Sequence, residues 1–474
     1  MIGVRTAVPV ILYTSIALGA LFFALMRGTP ILIAAALAIC AAPLLLHVLM
    51  RAPGVYAALP GVVLGFMPFA AVPGTGAPLV VLLAMALIPL AIIHPSTQRP
   101  RLGPVGVTTV VFLCVAAVSM LANFNGVAAV WEYLKWAIAT GVTLFALLMD
   151  DRLRRTLMRA FALSAAAGAI VTTGMLVVDP SGGWVERFGF LGYGGTAAVN
   201  SRTAIVGGSE VIRASGLFVD PNSAGLVFLM AAGVAGTAFV GVTRLATLAV
   251  LFAGIAGTLS RSAIISVIVA LLVIIIGSHL NAGRRLLLIT AGVVALTAVL
   301  FIPAISSRLL DSFSGRDVGA SARTDALKNY PNQMDGSWLF GHGWYLREFW
   351  DPVYGFHVNY AANTPLVVIY RAGIVVGLVF IVLLAIALII SVRSMRRARI
   401  GAGVLTGILF GLVLIAFQLD FPVVTMPALA MCFALVLAEV QALDRAPDGD
   451  VSPDRSSAPG RLVPSENTRR AASV

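Results

Sequence analysis

The sequence predicts an all-α polytopic membrane protein, with about 14 transmembrane helices and two long extracytoplasmic loops. Of its 474 residues, 59% are hydrophobic and only 11% are charged, and the mean hydropathy is +0.99. An ordinary soluble domain carries about 25% charged residues, and no soluble fold can bury so much apolar surface. Arginine clusters also alternate with the apolar runs, and only two connections between runs are long.

Each predicted helix is an apolar run long enough to cross roughly 30 Å of hydrocarbon. The runs cover residues 8–26, 30–50, 54–72, 78–94, 106–122, 127–149, 160–178, 223–242, 245–259, 262–277, 286–303, 364–390, 402–418 and 423–440. The first run is followed at once by others and lacks a small-residue cleavage site, so we expect a retained helix rather than a cleaved signal peptide. Cys40, Cys114 and Cys432 all lie inside such runs, which predicts neither a disulfide nor a cysteine metal site.

The arginine clusters set the expected orientation, because cytoplasmic loops of membrane proteins collect Lys and Arg. Alternate connections hold Arg51, Arg99, Arg101, Arg152, Arg154, Arg155, Arg159, Arg284, Arg285, Arg393, Arg396, Arg397 and Arg399. Both termini are then cytoplasmic, and the net charge of +12 is a topology signal rather than a sign of nucleic-acid binding. Residues 1–441 form the predicted transmembrane domain, and the polar tail 442–474 is predicted to be disordered.

The two long connections, residues 179–222 and 304–363, are predicted to lie outside the cytoplasm. Long connections usually carry function, so the candidate residues are sought there.

The first candidate stretch runs from Arg213 to Gly225 and reads RASGLFVDPNSAG. Its segment from Asp220 to Ser223 is typical of a helix start, since Asn or Ser can accept a bond from an orphan N–H of the first turn. Two interpretations stay open: a capping turn only, or an outward helix N-terminus that binds an anionic phosphate beside Arg213.

The second candidate is the pair Ser260-Arg261, which stands between two apolar runs with almost no loop. The predicted topology places it on the outer side, where arginine is disfavoured. A charged side chain near hydrocarbon usually faces a partner or a cavity, which favours a functional role over simple loop placement.

Histidine is the usual general base near neutral pH, and the chain has five. Three of them, His47, His94 and His279, are predicted at cytoplasmic helix ends. His342 lies between two glycines, as turn residues do, and His357 stands shortly before a long helix. His357 is therefore the candidate base, although a surface role is the simpler interpretation.

These motifs resemble the O-antigen ligase and O-antigen polymerase family, bacterial membrane glycosyltransferases that use polyprenyl-pyrophosphate-linked glycans. The resemblance covers residues 213–377. It rests on Arg213, Gly216, Phe218, Pro221, Asn222, Ser260, Arg261, Arg323, Gly341, Gly343, Asn363, Gly373 and Gly377. The family typically has His-Asn at the start of the helix after the large loop, whereas Ala362 precedes Asn363 here and His357 lies five residues earlier than Ala362.

The resemblance implies glycosyl transfer at the outer face of a bacterial plasma (inner) membrane, from a polyprenyl-pyrophosphate-linked glycan to a glycan or lipid acceptor. No nucleotide sugar, cofactor or metal is implied. Fixed guanidinium groups stabilise a departing pyrophosphate well, which assigns that task to Arg213 and Arg261 and the base to His357. Expected substrate contacts are Arg323, Asp220, Asn222, Ser260, Asn363 and Trp344, with Trp338, Tyr345 and Trp350 as further sugar-stacking candidates or interfacial anchors.

Two other functions remain possible on the sequence alone. A polysaccharide or lipid-linked oligosaccharide transporter should carry charges or broken helices at the membrane midplane, and the main charges inside a run are Glu132 and Lys135, which can pair at i,i+3. A scaffold for envelope assembly would leave Arg261 unexplained. Within the transferase hypothesis, the sequence does not separate ligase from polymerase or identify the glycan, the acceptor or the oligomeric state.

Overall fold

The computed structural model describes residues 19, 51–73, 76–93, 102–179, 183–193, 203–206, 209–278, 281–301, 318–345, 363–397, 400–418 and 422–445. Several predictions lie outside the described residues. These are the runs 8–26 and 30–50, Cys40, His47, His94, His279, Trp350, His357 and the tail from residue 446.

The described chain is almost entirely helical. Its helices are α1 (Pro53–Phe66), α2 (Leu79–Ile93), α3 (Gly103–Ala122), α4 (Val127–Leu148), α5 (Asp151–Val178), α6 (Gly183–Glu186), α7 (Pro221–Ala238), α8 (Gly241–Thr258), α9 (Arg261–Gly277), α10 (Ala282–Leu300), α11 (Val318–Gln333), α12 (Thr364–Ala372), α13 (Ile374–Arg396), α14 (Ile400–Gln418) and α15 (Pro427–Arg445). Two short strands, β1 (Thr203–Val206) and β2 (Ser209–Ile212), form an antiparallel hairpin in which Thr203 faces Ile212.

Seven described helices are long and apolar enough to cross a membrane, namely α3, α5, α7, α8, α13, α14 and α15. Three shorter apolar helices, α1, α2 and α9, accompany them. The described fold is therefore that of an all-α membrane protein, as predicted. The total of 14 spans and the extracytoplasmic side of the loops remain predictions.

Helices α7 and α15 form the centre of the bundle, since most residues of both are buried. Small residues let α7 approach its neighbours closely. A Cβ on Gly236 would meet the side chain of Val404 on α14 at 2.8 Å. Gln441 of α15 accepts a 2.9 Å hydrogen bond from the backbone N–H of Val105, which satisfies one orphan donor at the start of α3.

The two ends of this bundle differ in their polar contacts. At one end, Arg154 bonds to Glu439, Arg159 donates to the carbonyl of Ala238, and Arg397 lies near Asp444. We call it the arginine-rich end, which is the predicted cytoplasmic side. The other end contains the starts of α7, α9 and α12, and we call it the loop end.

One predicted helix is wrong, because residues 364–390 form two helices rather than one. The break lies at Gly373, whose φ of 86° belongs to the left-handed region that favours glycine. A Cβ on Gly373 would overlap the carbonyl of Leu339. The N–H of Ile374 donates to the carbonyl of Trp338 at 2.8 Å.

A second correction concerns the start of α5, which was predicted at residue 160. The helix begins at Asp151, and Asp150 caps it by accepting a 2.7 Å hydrogen bond from the N–H of Arg152. The arginine cluster of this connection is therefore on the helix and not in a loop.

Candidate functional site

The centre of the loop end is a short strap, Arg213–Gly216, which joins strand β2 to a 3₁₀ turn at Gly216–Phe218. Arg213 is 6% exposed, and its Nε donates to the carbonyl of Thr258 at 3.1 Å. One terminal nitrogen donates to Oδ1 of Asn222 at 2.8 Å. Arg213 therefore ties the end of α8 to the first turn of α7.

Glycine is required at position 216 of the strap. Its φ is +49°, and a Cβ there would overlap Oγ1 of Thr172 on α5. The strap can therefore lie directly against α5 only because this residue has no side chain.

Asp220 caps α7, which begins at Pro221. The carboxylate accepts a 2.8 Å hydrogen bond from the N–H of Ser223. The helix-start prediction is confirmed, but the capping side chain is Asp220 rather than Asn222 or Ser223. Asn222 is exposed, and its amide oxygen instead accepts the bond from Arg213.

Ser260 and Arg261 occupy a tight turn between α8 and α9. Leu259 has a φ of 51°, which is unusual for a residue with a side chain, and Ser260 is fully buried. The N–H of Ser260 donates to Oγ1 of Thr258 at 3.2 Å, and its hydroxyl lies 3.1 Å from that of Ser262. Arg261 is the first residue of α9 and is partly exposed.

The starts of α7 and α9 meet through Gly225. A Cβ on Gly225 would lie 3.0 Å from Cβ of Ala263 and 3.1 Å from Cβ of Ser260, so the two first turns are in direct contact. Helix N-termini carry partial positive charge, and this arrangement adds two guanidinium groups to two such ends. The combination favours an anionic ligand.

A small polar cavity beside the strap is lined by Arg213 and by residues that the sequence analysis did not identify. Thr172, Asp179, Arg213 and Ser215 line it, and all four are buried. The hydroxyls of Thr172 and Ser215 have no hydrogen-bond partner within the described part of the chain. The space for the centre of a water molecule is about 10 Å³, which is enough for one bridging water. Thr172 and Asp179 stand far from the strap in sequence, so no local motif marks them.

Asn363 lies at the same end and caps α12. Its Oδ1 accepts from the N–H of Leu366 at 3.1 Å, and its Nδ2 donates to the carbonyl of Phe417 at 3.0 Å. Arg371 of the same helix donates to the carbonyl of Val424 at 3.2 Å. These contacts attach α12 to the end of α14 and to the segment before α15, and they do not link Asn363 to the arginine group.

The Gly341-His342-Gly343 segment is a turn, as the sequence analysis expected for His342. The backbone N–H groups of His342 and Gly343 donate to the carbonyls of Tyr370 and Arg371, at 2.7 and 3.0 Å. These carbonyls belong to the last turn of α12, so the turn caps that helix. The ring Nε2 of His342 lies 2.7 Å from the carbonyl of Gln333.

Trp344 is 3% exposed and packs in an aromatic cluster, with ring centroids 4.5 Å from Trp136 and 5.4 Å from Tyr133. In this arrangement it does not offer an open ring face to a sugar. Trp338 and Tyr345 are exposed. Arg323 lies in α11, with its side chain outside the described structure.

The Glu132–Lys135 pair that the sequence predicted is present, with Nζ of Lys135 2.6 Å from Oε1 of Glu132. Cys114 and Cys432 are free thiols. Among the described residues, no group of three or more His, Cys, Asp or Glu side chains is placed to hold a metal ion.

A comparison with models of known protein families matches part of the same region of the chain. Residues 246–381 match the family model described as O-antigen ligase. The match includes Ser260, Arg261 and Asn363, whereas Arg213 and Asn222 precede it. No curated protein matched the chain. The resemblance inferred from the motifs is therefore confirmed over residues 246–381, which are similar to the O-antigen ligase family.

Proposed function

We propose that the protein is a membrane glycosyltransferase that transfers or polymerises a glycan from a polyprenyl-pyrophosphate-linked donor onto an acceptor hydroxyl outside the plasma membrane. The bond from Arg213 to the carbonyl of Thr258, three residues before Arg261, carries this proposal. It joins the family-matched region to the preceding motif in one positively charged group.

The proposed reaction makes one bond and breaks another. The acceptor oxygen attacks the anomeric carbon of the donor sugar while the bond from that carbon to the pyrophosphate oxygen breaks. Polyprenyl pyrophosphate leaves with the bonding electron pair, and the hydroxyl proton passes to a base. Negative charge therefore develops on the pyrophosphate, where fixed donors act most strongly.

Arg261 is the group best placed to contact that pyrophosphate, because it is partly exposed and begins a helix. Its planar guanidinium can donate two parallel N–H bonds to phosphate oxygens. Arg213 is more deeply buried, so we assign it the task of holding Asn222 and the turn before Arg261 in place while adding positive charge nearby. Thr172, Asp179 and Ser215 line the small cavity beside it.

His357 remains the proposed base, and Trp338 and Tyr345 are the proposed sugar-stacking residues because their rings are exposed. Asn363 and Arg323 complete the proposed acceptor side. Asn363 uses both ends of its amide on protein partners, so we assign it to positioning α12 rather than to direct donor contact.

The test measures glycan transfer from a polyprenyl-pyrophosphate donor, normalised to protein in the membrane. Arg261→Ala should lower turnover about a hundredfold, because losing one fixed donor to a developing oxyanion costs on the order of 3 kcal/mol. Arg261→Lys should recover little, since lysine lacks the fork. Arg244→Ala, at the start of α8, is the matched control and should retain activity.

Near wild-type turnover of Arg261→Lys would exclude the bidentate clamp. Full activity of both Arg261→Ala and Arg213→Ala would remove the main support for a glycosyltransferase. The same assay in EDTA should be unchanged, because the proposed charge stabilisation comes from arginine. Loss in EDTA that a divalent ion restores would show that this mechanism is wrong.

A further inference from the structure

A second cavity lies at the arginine-rich end, far along the helices from the candidate site. It measures about 470 Å³ and is lined by the last turns of α9 and α13 and by α14. Its apolar lining includes Val273, Ile276, Val392, Met395 and Phe410. This cavity shares no residue with the proposed glycosyltransferase site.

The cavity opens on the outside of the bundle rather than into its centre. Ile276 is 79% exposed, and Leu272 and Ile389 on the same two helices are also exposed. Long apolar side chains exposed on membrane-crossing helices face lipid. A molecule entering from the side would therefore come from the acyl-chain region.

The rim of the cavity is basic. Arg396 lines it, is exposed, and has no carboxylate partner among the residues that the structure describes. Its neighbour Arg397 differs, since one of its terminal nitrogens lies 3.9 Å from a carboxylate oxygen of Asp444. The side chain that faces the cavity is thus the one left available for an external anion.

A second polar group lies next to the lining residues in the chain. Ser278 follows the lining residue Gly277, is 8% exposed, and its hydroxyl has no hydrogen-bond partner within the described ranges. A Cβ on Gly403, in the first turn of α14, would lie 2.9 Å from that hydroxyl. The positive end of α14 is therefore adjacent to the rim as well.

We propose that this cavity binds one anionic phospholipid, with an acyl chain in the apolar space and the headgroup phosphate at Arg396. An apolar slot with a basic rim matches a molecule that has an apolar chain and a negative head. Zwitterionic lipids fit less well, because none of the described lining residues is a carboxylate that could receive their cationic group. The predicted cytoplasmic side of this end agrees with a headgroup in the inner leaflet.

The experiment is native mass spectrometry of the purified full chain, delipidated and then titrated with dioleoyl phosphatidylglycerol or dioleoyl phosphatidylcholine. Wild type should retain phosphatidylglycerol about fivefold better, the effect of one arginine near the phosphate. Arg396→Gln should abolish the preference, and Val273→Phe should lower retention of both lipids by filling the slot.

Arg397→Gln and Val293→Phe are the matched controls. The first removes a neighbouring arginine that already has a carboxylate close by, and the second adds the same bulk to the exposed face of α10. Both should behave as wild type. Equal retention of the two lipids by wild type, or an equal loss in Arg396→Gln and Arg397→Gln, would overturn the proposal. So would a cross-link from Val273→Cys to residues 1–50 or to a second copy that excludes lipid.

Discussion

The two ends of the bundle each bury an arginine, but they give it different partners. Arg154 at the arginine-rich end is 9% exposed and lies 2.6 Å from a carboxylate oxygen of Glu439. Arg213 at the loop end is 6% exposed and donates to a backbone carbonyl and a side-chain amide. Burial alone therefore does not distinguish an arginine that fastens helices from one that organises a site.

The difference lies in what each guanidinium holds in place. Arg154 joins α5 directly to the central helix α15, and a carboxylate balances its charge. Arg213 joins a loop strap to the first turn of one helix and the last turn of another. The first contact stabilises the bundle, whereas the second sets the positions of groups at the candidate site.

Backbone strain follows the same division. Among the described residues, the non-glycine positions with positive φ are Val219 and Leu259, at 61° and 51°. Both stand at the loop end, next to Asp220 and Ser260. Such conformations cost of order 1–3 kcal/mol and persist where surrounding contacts hold them, which is typical of functional sites.

The largest expected effect on stability comes from breaking the contact between Arg154 and Glu439 at the arginine-rich end. Glu439→Ala should lower the free energy of unfolding by about 3–5 kcal/mol, because it leaves the buried charge of Arg154 with only the exposed carboxylate of Asp151. Thermal unfolding in detergent measures it. Asp444→Ala, on the same helix but in a partly exposed and longer pair, should cost less than about 1 kcal/mol. Equal losses in the two variants would contradict the distinction between them.

A smaller effect is expected from the strap. Gly216→Ala should destabilise by about 2 kcal/mol, since the left-handed φ and the contact with Thr172 both oppose a methyl group. Glycan transfer should fall more than the unfolding temperature does, because the displaced strap carries Arg213. Gly174→Ala is the control, because an added Cβ there would have no atom within 4 Å outside its own helix backbone. A Gly216→Ala protein with normal transfer would show that the strap does not set the site.

The positions of most described helices follow from hydropathy. The run predicted at 127–149 is helix α4, Val127–Leu148. The run predicted at 106–122 is helix α3, which begins three residues earlier, at Gly103. The break at Gly373 was missed because hydropathy is averaged along the run, whereas the break depends on Leu339 and Trp338, which are distant in sequence. Composition cannot show such a contact.

Prediction of the candidate site was similarly partial. Arg213, Asp220, Asn222, Ser260 and Arg261 carry local signals, namely a helix start and an arginine on the disfavoured side of the membrane. Their bonds could not be read from the sequence, because the acceptor of Arg213 is a backbone carbonyl, which every residue has. Burial of Trp344 depends on Trp136, about two hundred residues earlier in the chain, so its aromatic character alone was not informative.

The smallest expected effect is a difference between the two ends in how their stability responds to alkaline pH. Tyr330 on α11 donates its hydroxyl to the carbonyl of Leu366 on α12 at 2.8 Å, and burial, followed by the neighbouring Tyr370, raises its pKa above the usual 10.0. A raised pKa means that the folded state favours the neutral phenol. Its contribution is therefore complete below pH 10.0 and is lost as pH rises through the folded-state pKa. The pair of Arg154 and Glu439 contains no phenol.

Raising the pH from about 8 to 11 should therefore loosen the contact between α11 and α12 before α15 is affected. Hydrogen exchange of the two regions across that range measures the difference. Tyr330→Phe should cost about 1 kcal/mol at neutral pH and should remove the alkaline loss at α11, because no phenol remains to ionise. Tyr345→Phe is the control, since its ring is exposed and the alkaline response should persist. Should α15 exchange as early as α11, or should Tyr330→Phe keep the full alkaline response, the loop end would owe its pH sensitivity to another group.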